Sequence, residues 1–249
     1  MSGASPTGAV TAPRDPPAPP PAAARFRDRR EAGRRLAALL EPYRAQRPVV
    51  LAIPRGGVPV AAEIAGALDA PLDVAVVCKV GAPGNPEFAI GALAEGEVRI
   101  LSEDTIRALG VSASALQELV ARGERELLER LLRYRGNCEP VALRGRTAIL
   151  VDDGLATGST ALAAVESLRR RGAARVILAV PVAAPQAVRL LCGSADEVVC
   201  VEAPANLWAV GYWYEDFRPT RDEDVTALLA EHRADAHPGS DRSAGPAAS

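Results

Sequence analysis

The sequence predicts an α/β fold: a doubly wound, mainly parallel sheet covered by helices on both faces. Three observations carry that expectation. Short apolar runs rich in β-branched residues (VVLAIP, AILVDD, RVILAVPV, EVVCV) recur along the chain. Stretches of helical period separate them, and turns rich in glycine, proline or polar residues close most of them. Strands that are apolar throughout are buried on both faces, as happens when helical crossovers cover a parallel sheet. At 249 residues, 48% hydrophobic and 24% charged, the chain can build one such domain with a sizeable core.

The elements follow in order. Residues 1–24, rich in Pro and Ala, and residues 235–249 read as disordered tails around a domain spanning 25–234. RFRDRREAGRRLAALLEPYR reads as a helix with Ala32, Leu36, Leu39 and Leu40 on its apolar face. VVLAIP (49–54) is a buried strand, and RGGVPVAAEIAGAL (55–68) turns from its end into a helix. DVAVVCKV (73–80) reads as one strand, GAPGNPEFAIG (81–91) as a loop and EVRIL (97–101) as a strand. Residues 102–135 read as a helical insertion. Ser114 and Gln117 form a capping-box pattern there, and Leu116, Leu119, Leu127 and Leu131 form a packing stripe. AILVDD, a helix ending at Gly172, RVILAVPV, the helix PQAVRLLCG, EVVCV and a last helix over 222–234 complete the alternation.

Composition excludes several classes. A net charge of −2 leaves no overall basic footprint for nucleic acid. No stretch approaches the roughly 18 apolar residues of a membrane helix, and the first residues lack the apolar core of a secretory signal, so the expected location is cytoplasmic. Cysteines 78, 138, 192 and 200 show no metal-binding spacing. Cys78 and Cys200 lie in apolar runs and read as buried free thiols. His232 and His237 sit too close to the C-terminal tail to serve as base or ligand.

The chemistry concentrates at strand ends, where open α/β sheets bind ligands. AILVDDGLATGST (148–160) joins a buried strand to a helix through a turn with backbone N–H groups at the helix start, where the macrodipole favours an anion. Gly154 and Gly158 allow close approach, and Thr157, Ser159 and Thr160 add hydroxyls. The turn lacks the lysine of a nucleoside-triphosphate loop and suits a monophosphate. Asp152 and Asp153, just before it, suit neighbouring hydroxyls or a metal. Together these features describe a site for a sugar phosphate.

IPRGGVPVA (53–61) repeats the strand–turn–helix pattern, with Arg55 beside Gly56 and Gly57. Lys79 is the only lysine in the chain and stands where a strand meets a Gly/Pro-rich segment. It reads either as a mobile phosphate-following cation or as a strand-end cap. WAVGYWYEDF (208–217) holds five of the nine aromatic residues and reads either as a stacking surface for a planar acceptor or as a satellite core. Asp216, within it, could assist a metal.

AILVDDGLATGST resembles the ribose-phosphate signature of the type I phosphoribosyltransferases in its apolar run, acidic pair and TGST turn. The resemblance covers about residues 25–232 and implies a hood over the parallel sheet. It implies that Asp152 and Asp153 hold the ribose hydroxyls of phosphoribosyl pyrophosphate and touch Mg²⁺. Gly154, Ala156, Thr157, Gly158, Ser159 and Thr160 would bind the 5′-phosphate, and Arg55, Gly56 and Gly57 the pyrophosphate. It further implies that the 81–91 segment closes over the reacting centre, with Lys79 on the leaving group; Glu87, inside that segment, could bind the acceptor or handle a proton. The implied reaction displaces pyrophosphate by a nitrogenous acceptor. A homodimer is a weaker implication, and no signature for orotate, adenine or hypoxanthine is recognisable. A non-catalytic sensor of the same ligand and a hydrolase remain as alternatives.

Overall fold

The computed structural model describes residues 20, 21 and 25–236, apart from the side chains of Glu87 and of residues 234–236. The two predicted tails fall almost wholly outside the described residues, as does His237.

In chain order, α1 (Arg29–Leu40) leads to β1 (Val49–Ala52), α2 (Gly57–Leu68) and β2 (Leu72–Val74). Three strands follow, β3 (Val77–Ala82), β4 (Asn85–Ala94) and β5 (Val98–Leu101), then α3 (Glu103–Ala108) and α4 (Ala113–Arg135). The chain continues through β6 (Thr147–Val151), α5 (Ser159–Arg170), β7 (Arg175–Val182), α6 (Pro185–Leu191), β8 (Glu197–Glu202) and α7 (Asp222–Ala236).

Five strands form a parallel sheet in the order β2-β1-β6-β7-β8, as the apolar runs predict. Side chains alternate between its faces with period 2. Val50, Ala52, Ile149, Val151, Ile177 and Ala179 pack with α1, α2 and α7, including Leu36, Leu40, Ile64 and Leu229. Val49, Leu51, Leu150, Val176 and Leu178 face the other way, onto α5 and α6. The chain winds from β1 outward to β2 and then returns to β6 on the opposite side of β1. The switch point therefore lies between β1 and β6, where Ala52 pairs with Val151.

The second sheet, antiparallel in the order β3-β4-β5, forms the hood with α3 and α4. Helix α5 lies between the two sheets. Its Ala161, Ala163, Ala164, Val165 and Leu168 share one cluster with Leu150 and Leu178 of the first sheet and Ala92, Ala94 and Val98 of the second.

Several sequence expectations need correction here. The run 73–80 is two strands, since the chain leaves the first sheet after Val74 and enters the second at Val77. All of Leu72–Cys78 is buried, so hydropathy carries no mark of the exchange. The segment 81–91 is mostly strand: β3 and β4 form an antiparallel hairpin whose register slips at Val80–Ala82. Gly81 makes room for that slip, because a Cβ there would stand 2.4 Å from the Pro86 carbonyl oxygen. Helix α4 starts earlier than the capping pattern suggests, on Ser112, whose hydroxyl accepts from Ala115 N–H; α3 precedes it as a separate helix. Leu39 is exposed, with Ala37 in its place on the buried face of α1. Cys78 is buried, but Cys200 is only half-buried because β8 is an edge strand; all four cysteines are free.

A buried ionic chain ties the hood to the parallel sheet. Arg135, at the end of α4, donates Nε to Asp73 Oδ1 on β2 at 2.9 Å, Nη1 to Glu95 Oε1 at 2.7 Å and Nη2 to the Val74 carbonyl at 2.9 Å. Arg171, just past α5, donates to the other Glu95 oxygen at 3.1 Å. Asp73 also accepts from the N–H groups of Val74 and Val141. Each of these four charges has an opposite neighbour, the condition under which buried ions are tolerated.

Candidate active site

Two turns meet at the switch point, one from the end of β1 and one from the end of β6. Ile53 N–H donates to the Val151 carbonyl at 2.8 Å, which joins the turns at their base. Helices α1, α3 and α4 begin on capping side chains, Asp28, Ser102 and Ser112. Helices α2 and α5 begin on Gly56 and Gly158, with no side-chain cap on either. At α5 the first N–H groups therefore stay available to an anion at the positive end of the helix dipole. At α2, by contrast, those of Gly57 and Val58 donate to the Ile53 and Arg55 carbonyls at 3.1 and 3.2 Å, and Pro59 has none. Gly158 has φ +83°, a conformation suited to glycine. Ala156, Thr157 and Ser159 are exposed at the turn, and Thr160 is half-buried.

The two acids stand beside this turn, and each spends one oxygen on the protein. Asp152 Oδ1 accepts from Asp153 N–H at 2.9 Å. Asp153 Oδ2 accepts from Arg29 Nε at 2.8 Å and lies 2.7 Å from its Nη2. Among the described residues no hydrogen bond reaches Asp152 Oδ2 or Asp153 Oδ1, which leaves one free oxygen on each acid. Asp153 also packs against the other turn. A Cβ on Gly56 would lie 2.0 Å from its Oδ2, and a Cβ on Gly57 would lie 2.6 Å from the Val151 carbonyl oxygen. The two glycines thus let the turns touch. Gly154 does the same for Val210, 2.4 Å from the Cβ it lacks.

Burial and the neighbouring Asp153 charge push the Asp152 carboxyl well above its ordinary range, against the opposing pull of Arg29 and Lys79. Burial raises Asp153 as well, while Arg29 offsets part of that rise. A pair of acids that resists full ionisation is a favourable place for hydroxyl donors or a cation to bind.

The remaining predicted residues are spread around this centre. Lys79 is exposed on β3, near enough for its charge to act on Asp152. Arg55 is exposed and leans toward the start of α7, with Nη1 3.7 Å from Asp222 Oδ1. Asp222 is held in turn by Arg133 at 2.7 Å and by the Tyr134 hydroxyl at 2.7 Å. Glu87 falls on β4, and its side chain lies outside the described part of the structure. Asp216 is occupied by a fork from Arg218, with Nε at 2.9 Å and Nη2 at 2.5 Å. Among the described residues no group of three or more His, Cys, Asp or Glu side chains could form a metal site.

The aromatic stretch is chiefly a satellite core. Phe26 and Tyr214 are buried together, with Trp213 and Phe217 packed against them, and Trp208 stands exposed. That core reaches the acids directly: the Tyr214 hydroxyl donates to the Asp153 carbonyl at 2.6 Å. Sequence reasoning misses Arg29 and Asp222, and it marks Tyr214 only as a member of the aromatic stretch. Phe26, an isolated aromatic three residues before Arg29 in an aromatic-poor chain, is the one signal near Arg29. His232 joins α7 to α2, with its ring nitrogens 3.0 Å from the Leu228 and Ala62 carbonyl oxygens.

A parallel sheet whose switch point carries an acid pair beside two helix starts defines a class, the open α/β proteins, which bind ligands at the carboxyl ends of their strands. The family is narrower. Residues 28–216 match the model of the phosphoribosyl transferase domain family, and the chain belongs to that family. A Mycobacterium tuberculosis protein named "Putative phosphoribosyl transferase Rv0571c" is 46% identical over 204 residues, which are 82% of this chain and 46% of that protein. The chain thus spans about half the length of the curated relatives it matches. The crystal structure of TT1426 from Thermus thermophilus superposes with a TM-score of 0.72 at 48% identity, covering 83% of this chain and 98% of the other. Among the described residues no helix is long and apolar enough to cross a membrane.

Proposed function

We propose that the protein is a phosphoribosyltransferase, which moves the 5-phosphoribosyl group from phosphoribosyl pyrophosphate to a small nitrogenous acceptor and releases pyrophosphate. The observation that carries this reading is the acid pair with one free oxygen each, set at the foot of an uncapped helix start. In this reading the N–H groups and hydroxyls of 156–160 hold the 5′-phosphate, with Gly154 and Gly158 admitting it. The free oxygens of Asp152 and Asp153 accept from the two ribose hydroxyls or meet a cation. Gly56 offers its N–H group to the pyrophosphate, Gly57, whose own N–H donates to the Ile53 carbonyl, lets it approach, and Arg55, released from Asp222, joins Lys79 on its oxygens. Glu87 is assigned to the acceptor or to a proton by its place in the 81–91 segment alone.

Two carboxylate oxygens without a third protein ligand suit Mg²⁺ bound mainly by substrate oxygens. When bound, that ion would neutralise charge on the departing pyrophosphate. The chain's own work is to orient the ribose, to supply donors where negative charge gathers, and to keep water from the anomeric carbon beneath the hood. The acceptor nitrogen would form its bond to that carbon with inversion as the pyrophosphate oxygen leaves with the bonding pair. The reading places the enzyme in the cytoplasm, acting on small molecules, with a homodimer as its assembly.

The test is pyrophosphate release from protein, Mg²⁺ and phosphoribosyl pyrophosphate across a panel of nitrogenous bases. Release that depends on one base is the expected result. Release without any base would replace the reading by a hydrolase, and tight binding without release by a sensor.

A further inference from the structure

We infer that Arg29 is a positioning residue, which fixes Asp153 so that one carboxylate oxygen is pinned to the protein and the other faces the ligand. The ligand half of this inference rests on the function proposed above; the geometric half stands by itself.

Every nitrogen of the guanidinium has a protein partner. Nε and Nη2 both meet Asp153 Oδ2, at 2.8 and 2.7 Å, and Nη1 donates to the Arg218 carbonyl at 2.8 Å. Its flat face lies 3.9 Å from the centroid of the Phe217 ring. The side chain is only 11% exposed. Arg29 is the first residue of α1, and backbone bonds lock the approach to that helix onto the aromatic stretch. Phe26 N–H donates to the Trp213 carbonyl, Glu215 N–H to the Phe26 carbonyl and Asp216 N–H to the Arg27 carbonyl, at 2.7, 2.8 and 2.9 Å. Tyr214, buried in the same cluster, holds the Asp153 main chain from the other side. The satellite core is therefore a mount for one cation, which addresses one acid 124 residues away.

Without this anchor no hydrogen bond among the described residues would hold the Asp153 carboxylate. It adjoins a second acid in a poorly solvated corner, and a carboxylate left unpaired there would turn outward to water, away from Gly56. A lysine could supply the charge, but neither the fork nor the stacking face.

The experiment uses the full chain with Arg29→Met, Arg29→Lys, Asp153→Asn and the double variant Arg29→Met/Asp153→Asn. Affinity for phosphoribosyl pyrophosphate with Mg²⁺ is measured by calorimetry, and kcat and KM with whichever base the wild type accepts. Loss of a charge-assisted fork predicts donor binding weakened by about 10–100-fold in Arg29→Met, with KM rising far more than kcat falls. Arg29→Lys should fall between, and remains informative if Arg29→Met fails to fold. The double variant should bind no worse than Asp153→Asn, because both changes remove the same grip. Wild-type affinity in Arg29→Met, or additive losses in the double variant, would overturn the inference. A crystal structure of Arg29→Met or, failing that, Arg29→Lys gives a second readout that needs no donor. An outward Asp153 carboxylate supports the positioning role, and one unmoved beside Gly56 refutes it. If the wild type itself gives no heat with the donor, the proposed function fails while that structure still decides the role of Arg29.

Discussion

Replacing Gly56 by alanine separates two effects of opposite sign. The backbone at Gly56 has φ −61° and ψ −33°, which any residue adopts. On conformational grounds alone the change should stabilise the protein by about 0.4–1 kcal/mol, through a less flexible unfolded chain. The new Cβ, however, would stand 2.0 Å from Asp153 Oδ2 and 2.6 Å from its Cγ. Relief requires the carboxylate to retreat by more than about 1 Å to reach ordinary contact distance. The hydrogen bonds from Arg29 to Asp153 would not survive that shift. A charge-assisted bond contributes about 1.5–3 kcal/mol, reduced here because the Asp153 side chain is 17% exposed and water can replace part of it. A net destabilisation of about 1–2 kcal/mol remains, or a fall in Tm of about 2–8 °C for a domain of this size. Donor affinity should drop in parallel, since both acids lose their arrangement. Thermal melts and calorimetry with phosphoribosyl pyrophosphate and Mg²⁺ check both outcomes. A Gly56→Ala protein that melts at or above the wild type and binds the donor equally well would refute the contact between the two turns.

Asp152→Asn should stabilise the ligand-free protein at neutral pH while weakening donor binding. The folded pKa of Asp152 lies above the ordinary carboxylate range, so the folded chain holds a proton where the unfolded chain has released it. Stability should rise as pH falls through the folded pKa and level off below the unfolded one. Urea melts across pH should therefore show the advantage of the variant shrinking toward acid, and parallel pH profiles would contradict this. Arg135→Met should leave Asp73 and Glu95 without their shared partner and cost about 3–5 kcal/mol. A chemical-denaturation midpoint that implies less than about 1 kcal/mol would show that the ionic chain does not brace the hood.

The parallel sheet was legible because both its faces are buried, which leaves β1, β6 and β7 as plain apolar runs. The turn from Asp152 to Thr160 was legible as a strand-to-helix junction because its parts are contiguous. The hood was harder. Leu72–Cys78 is buried without interruption although it serves two sheets, and Pro83, Gly84 and Pro86 signal a loop where a bulged hairpin forms. Long-range partners left the weakest trace. Arg29 stands among Arg25, Arg27, Arg30, Arg34 and Arg35, and most of that run pairs on the surface, as Arg30 and Arg34 do with Glu63. Phe26 apart, nothing local marks Arg29 as the member that turns to the acids, while Arg25 reaches the Tyr214 carbonyl. Asp222 likewise reads as an ordinary acid in the first turn of α7 until Arg55, Arg133 and Tyr134 are seen around it.

Lys79 has a practical consequence. Because every other basic side chain that could compete is a guanidinium or an imidazole, the chain carries a single side-chain primary amine, exposed on the hood strand. An amine-selective reagent has only that side chain and the α-amine to modify, so protection of Lys79 by a bound donor would report their contact with no engineered handle.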